Sequence, residues 1–252
     1  MLKGSVEFVA SVESNPIEFD EVQVTDDRDE VDLLLIRADS ARGITVSVRI
    51  SDVSTEIDGV AIARNAADAL LDTLAFERRL PIGQPRLIGQ SFEQTDPPDE
   101  THHISAGVTL HMSCSATTLT RVDGTTIADQ LSNSAAASDI HKQMFRSAIR
   151  SGGSTERFMH LYNLMMMLFG DHQGRVDRFI QQNEPNVALT QSPHLKTGVM
   201  ETVYTRLRNE ISHHRQGVDL ELTKQEMSNH VGRLSEHVRG AIIAEATSTN
   251  GP

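Results

Sequence analysis

Tryptophan is absent from the 252-residue chain, tyrosine occurs twice, and aromatic residues make up only 4% of it. So few rings exclude a stacking platform for single-stranded bases as a main device; any nucleic acid would be held mostly by charge and hydrogen bonds. Cysteine is scarcer still. Cys114 stands alone, which excludes an intramolecular disulfide framework and a cysteine-rich zinc site and fits a reducing cytoplasm. No apolar run approaches the ~18 residues of a membrane span. The N-terminal MLKGSVEFVASVESNP lacks the apolar core of a signal peptide, so the expected location is cytoplasmic, away from membranes. A phosphate-cradling glycine loop, a nucleophile elbow and a zinc-deaminase signature are also missing. Nucleotide hydrolysis with a bound cofactor is therefore unsupported, and neither cofactor nor metal is expected. What is present is 38% hydrophobic residues, enough to build real cores in one large domain or two modest ones.

The formal charge of −12 is unevenly spread. Residues 1 to 130 carry 10 basic and 23 acidic side chains, whereas residues 131 to 252 carry 13 and 12, with eight of the eleven histidines. An acidic half repels phosphate backbones, so any nucleic-acid role must belong to the C-terminal half.

The two halves also differ in pattern. SVEFVASV, IEFDEVQV, VDLLLIRA and GITVSVRI read as four strands in meander spacing, separated by turn-forming residues. TEIDGVAIARNAADALLDTLAFERRLP then places Ile57, Val60, Ala61, Ala67, Leu70, Leu71 and Leu74 at helical spacing before Pro81 closes the helix. QPRLIGQSFEQ and HHISAGVTLHMSC are two further strand candidates. Together they predict a strand-rich α+β domain over residues 1–125, its long helix covering one sheet face. Residues 126–139 read as a connecting segment. Residues 140–246 read as helical throughout: DIHKQMFRSAIR, a helix from Ser154 as N-cap to Gly170, the short RVDRFIQQN, a long helix through TGVMETVYTRLRNEISHHRQG, and a last one capped by Thr223 with Glu226 completing a capping box. Four or five helices on short loops make a bundle, and residues 247–252 read as a disordered tail. The fold class is thus α+β, an N-terminal strand-rich domain followed by an all-α bundle.

Chemistry concentrates in ETVYTRLRNEISHHRQG. On one helix a step of four returns nearly to the same face, so Asn209 neighbours His213 and Arg208 neighbours Ser212, beside an apolar face marked by Val203, Leu207 and Ile211. Such a strip suits phosphodiester chemistry. The planar fork of Arg208 can bind two phosphate oxygens and neutralise the charge that builds on phosphorus. The imidazole of His213 can take or give the proton of a 2′-hydroxyl or leaving oxygen. Asn209 can orient either. RNA suits metal-free equipment because it carries its own nucleophile.

RNEISH, Arg208 to His213, resembles the R-N-x-x-x-H signature of the HEPN superfamily, helical domains found in many prokaryotic toxin, anti-phage and CRISPR-associated ribonucleases. The resemblance covers residues 140 to 246 and is closest in style to ApeA-like HEPN proteins, which also place a strand-rich region before the bundle. It implies an endoribonuclease in a defence or toxin context, with Arg208, Asn209 and His213 as catalytic residues and a homodimer in which each active site combines two copies of the motif. RNA, a transfer RNA or a single strand, is the implied partner. Arg206, Ser212, His214 and Arg215 are candidate RNA contacts around the signature. A regulatory protein or ligand would act on the N-terminal domain. Two other readings stand beside this one: a solvated helix whose Arg and His pair with Glu201 or Glu210, and a HEPN-like module that dimerises or binds without catalysis.

Other features carry less. His102, His103 and His111 lack carboxylates at ligand spacing. Leu161, Leu164, Met165 and Leu168 read as a buried seam or dimer face rather than an adaptable groove. Asp171 and Asp177 lack the further oxygen ligands of a cation loop. The acidic Asp26 to Glu30 is a solvated turn, and Arg64-Asn65 has no following histidine.

Overall fold

A computed structural model describes residues 1–13, 17–95, 120–134, 137–192, 198–213 and 217–249. The chain is α+β and divides into two compact units, Met1–Ala135 and Ala136–Pro252. The expected strand HHISAGVTLHMSC, with Cys114 and the three N-terminal histidines, lies outside the described residues.

In the first unit the strands are β1 (Leu2–Ala10), β2 (Ile17–Val24), β3 (Val31–Asp39), β4 (Gly43–Val53), β5 (Arg86–Gln94) and β6 (Thr120–Arg121), and the sheet order is β5-β1-β4-β3-β2-β6. This corrects the expected meander. β2, β3 and β4 follow one another as hairpins, but β1 pairs antiparallel with β4, with Val6 opposite Val48 and Phe8 opposite Val46. Four strands in the order 1-4-3-2 form a Greek key. Strand spacing in sequence is the same for both arrangements. The alternation places Val6, Phe8, Leu34, Ile36, Val46 and Val48 on one buried face. Gly43 turns β3 into β4 at φ +87, where a Cβ would lie 2.5 Å from the Ala10 carbonyl oxygen.

Helix α1 (Glu56–Arg78) covers that face. Its cap is Thr55, whose hydroxyl accepts from the Asp58 N–H, and it ends at Arg79 in the left-handed region. The buried stripe is Gly59, Ala63, Ala66, Ala67, Leu70, Leu71 and Leu74. Ile57 is 81% exposed, so the face begins one turn later than its hydrophobicity suggests. Gly59 packs against the Phe92 ring, 2.6 Å from where a Cβ would sit. Helix α2 (Gly124–Asn133), capped by Asp123, occupies the expected connecting segment and packs on β2 through Ile127 and Leu131. The first unit therefore extends past residue 125.

The second unit holds α3 (Asp139–Arg150), α4 (Ser154–Leu168), α5 (Gln173–Asn183), α6 (Val203–His213) and α7 (Leu220–Thr249). α4 and α7 form its longest packed pair, with α3 and α6 against both. Leu161, Leu164 and Met165 are buried as a seam, whereas Met167 is 42% exposed.

Four expectations change here. The region is not wholly helical: β7 (Leu189–Gln191) and β8 (Met200–Thr202) form an antiparallel pair, so α6 starts later than the long helix expected. α4 is preceded by Gly153 without a side-chain cap, and Ser154 is already helical. α7 begins before Thr223, because Asp219 Oδ1 accepts from the N–H groups of Glu221 and Leu222 and caps the helix there. The helix also runs through Thr249, where a tail was expected. Among the described residues no helix is long and apolar enough to cross a membrane.

Leu71, fully buried between α1 and the sheet, should cost about 2–5 kcal/mol when replaced by alanine. Urea unfolding should show that loss in the first unit's transition.

Candidate functional site

β8 delivers the chain into α6 through Thr202, and the polarity of the site is set there. Thr202 donates its N–H (3.1 Å) and hydroxyl (2.7 Å) to Oδ1 of Asp177 on α5, and Thr205 donates its hydroxyl to the same oxygen at 2.6 Å. The Thr205 N–H lies 3.4 Å from the Thr202 hydroxyl, which makes Thr202 the cap of α6. Because the single hydroxyl proton of Thr205 goes to Asp177, Tyr162 must be the donor in its 2.7 Å contact with Thr205. Burial pushes the Tyr162 phenol far above its ordinary range, in keeping with that role. Burial likewise raises the Asp177 carboxyl, and the three donors hold it partly back.

One turn on, Asn209 is 5% exposed. Its Nδ2 donates to Glu201 Oε2 (3.2 Å) and to Gln173 Oε1 (3.3 Å), while its Oδ1 accepts from Arg208 Nη1 (3.0 Å). A carboxylate on one side and a guanidinium on the other leave the amide one workable orientation. The Arg208 guanidinium lies 6.0 Å from the Tyr162 ring centroid, and its buried Nε has no hydrogen-bond partner among the described residues.

A cavity of about 850 Å³ opens between α5, β8 and α6, lined by Gln173, Asp177, Arg178 and Gln181 from α5, by Val199 and Met200, and by Asn209 and His213. Of the expected strip, Asn209 and His213 share this cavity, as the four-residue step requires. Arg208 is not among the lining residues but donates to Asn209, which is, and Ser212 is exposed outside the lining. Arg206 turns the other way. It donates to Glu210 (2.8 Å) and Glu226, while Thr223 donates to the second oxygen of Glu210 (2.8 Å). Burial opposes the Arg206 charge, but the two carboxylates raise its pKa above the ordinary value. Arg206, expected as an RNA contact, instead fastens α6 to α7, and Glu226, expected in a capping box, is its partner. His214 and Arg215 lie outside the described residues.

Gln173 and Gln181 were not singled out in sequence and Asp177 was weighed only as part of a cation loop, although steps of four put all three on one face of α5. Arg178 was also missed. It is exposed, lines the cavity and makes no ion pair among the described residues, so it is an available cation for a phosphate. Among the described residues no three of His, Cys, Asp and Glu come together as metal ligands.

A second polar cluster fastens α5 and α6 to α7. Glu184 Oε2 contacts His237 Nε2 (2.7 Å), accepts from the Tyr204 hydroxyl (2.9 Å) and lies 3.7 Å from Arg233 Nε. Burial raises the Glu184 carboxyl, but hydrogen bonds from His237 and Tyr204 and the charges of His237 and Arg233 outweigh it, leaving the group below its ordinary range. His230 and His237 meet the Tyr204 ring edge-on at 5.5 and 5.4 Å.

Comparison of the chain with protein-family models, with curated proteins and with solved structures finds no match.

A depressed carboxylate contributes stability that is present above its unfolded-state pKa and is lost as pH falls through its folded value. Glu184→Gln should therefore lower the melting temperature of the C-terminal unit at pH 7, and the gap from wild type should close on acidification below the ordinary value of 4.5. A thermal-melt series from pH 7 to pH 3 checks it.

Proposed function

We propose that the C-terminal unit is a metal-independent endoribonuclease of HEPN type. The observation that carries the reading is that Asn209 and His213 line one cavity while Arg208 is held against Asn209 at 3.0 Å. In this chemistry a neutral imidazole of His213 takes the proton of the ribose 2′-hydroxyl, and the oxygen attacks the adjacent phosphorus. The bond from phosphorus to the 5′-oxygen breaks, and a proton returned to that oxygen leaves a 5′-hydroxyl and a 2′,3′-cyclic phosphate. Arg208 stabilises the charge on the phosphorane oxygens, and Asn209 holds Arg208 in place. A homodimer would supply a second His213 as the acid, so that each site combines two motifs. The acidic N-terminal unit would sense or regulate, through a protein or ligand, in a defence or toxin setting in the cytoplasm.

A second reading, a non-catalytic module that dimerises or binds a ligand, is favoured by a different observation. One buried carboxylate, Asp177, lines the cavity, and a second, Glu201, accepts from the Asn209 that lines it. Both readings use the cavity, and they part on turnover.

Purified protein should cut RNA in excess EDTA and leave cyclic phosphate ends. His213→Ala should slow cutting by about 10²–10⁴-fold with an unchanged melting temperature, since the side chain is exposed. Arg208→Lys, which keeps charge but loses the planar fork, should slow it by about 10²-fold or more. Gel assays with circular dichroism check both variants, and equal cutting by wild type and His213→Ala would remove the assignment.

A further inference from the structure

The cavity holds more hydrogen-bonding equipment than phosphoryl transfer needs. Asp177 is 5% exposed and lines it. All three of its donors converge on Oδ1, and Oδ2 accepts from no group among the described residues. Gln173, one turn earlier on the same face of α5, has its orientation imposed by a relay. Glu201 requires Asn209 to present its amide N–H groups on that side, and Asn209 therefore requires Gln173 to present its carbonyl oxygen. The Nε2 group of Gln173 is left as a donor without a partner among the described residues. An acceptor and a donor thus line one cavity from successive turns of α5, both held by buried neighbours. Val199 and Met200, 41% and 45% exposed, line the same cavity and offer apolar and thioether surface to the face of a planar ring.

We propose that this cavity reads a nucleobase of the RNA next to the cleaved phosphate, and that it selects bases presenting an exocyclic amine beside an unprotonated ring nitrogen, adenine and cytosine. The amine donates to Asp177 Oδ2 and the ring nitrogen accepts from Gln173 Nε2. On the Watson–Crick edge, uracil and guanine present a carbonyl oxygen beside a ring N–H and invert the pattern. A volume of about 850 Å³ admits a nucleotide. The inference rests on the ribonuclease reading for its placement of the phosphate, but base recognition itself does not depend on turnover.

The test exchanges one atom. In Asp177→Asn the side-chain oxygen can still accept from Thr202 and Thr205, while an NH₂ group replaces Oδ2 and turns the acceptor into a donor. Sequencing the ends made from a randomised single-stranded RNA should show adenine and cytosine enriched at least about tenfold at one position beside the cut for wild type. For Asp177→Asn the enrichment should be lost and move towards guanine or uracil. Gln173→Glu, which keeps its acceptor for Asn209 and replaces the free donor, should lose the same enrichment and decides the matter if Asp177→Asn fails to fold.

Cutting without base preference, or with the wild-type preference in both variants, would overturn the proposal and leave the ribonuclease reading intact. Titration of the folded full-length protein with adenosine, cytidine and uridine monophosphates, followed by NMR, separates the two ideas in the other direction. Shifts at Gln173 and Asp177 with the first two nucleotides only, in a protein that cuts nothing, would retain the pocket and retire the ribonuclease. No shift with any of them, together with unselective cutting, would retire the pocket.

Discussion

A single carboxylate oxygen, Oδ1 of Asp177, organises the C-terminal unit. It is buried and would be costly to hold there uncompensated; three donors from Thr202 and Thr205 offset that cost. Because the donors come from the end of β8 and the first turn of α6, satisfying Asp177 fixes where the strand stops and the helix starts. Through Thr205 the same oxygen reaches the Tyr162 phenol on α4. Four elements are thereby brought to one register, and the phase of α6 about its axis follows from it.

That phase decides which side chains of α6 meet which surroundings. Leu207 goes into the core, Arg206 goes to Glu210 and Glu226, and Asn209 and His213 turn to the cavity. Arg206 and Arg208 are therefore unlike in surroundings although alike in charge. Positive charge here mostly holds the unit together: Arg206 links α6 to α7, and Arg208 lies between Asn209 and Tyr162. Arg178, from another helix, is a further cation that lines the cavity and is exposed there.

Local features of the chain were legible where local physics decides them. α1 follows from its apolar spacing and the Pro81 beyond it, and the sharing of one cavity by Asn209 and His213 follows from the helical step of four. Pairing between distant segments was not legible. β1 joins β4 instead of β2 because the sheet closes as a Greek key, and nothing in the spacing of four strands distinguishes that from a meander. The β7–β8 pair is too short to show a period of two. Thr223 and Glu226 match a capping box in sequence, yet Asp219 caps α7 earlier and both residues are taken by α6. Gln173 carried no signature and Asp177 only an incomplete cation-loop pattern, since their roles exist only once β8 and α6 lie against α5. His102, His103 and His111 fall outside the described residues.

The ribonuclease chemistry proposed for His213 depends on the substrate's own 2′-hydroxyl, which makes one measurement decisive. An RNA cut by the protein in EDTA would be resynthesised with a single 2′-deoxy nucleotide on the 5′ side of the mapped cleavage site and assayed beside the all-ribose strand. Cutting at that site should disappear while binding of the strand persists. Continued cutting at that phosphate would contradict attack by the 2′-oxygen, and with it the role assigned to His213.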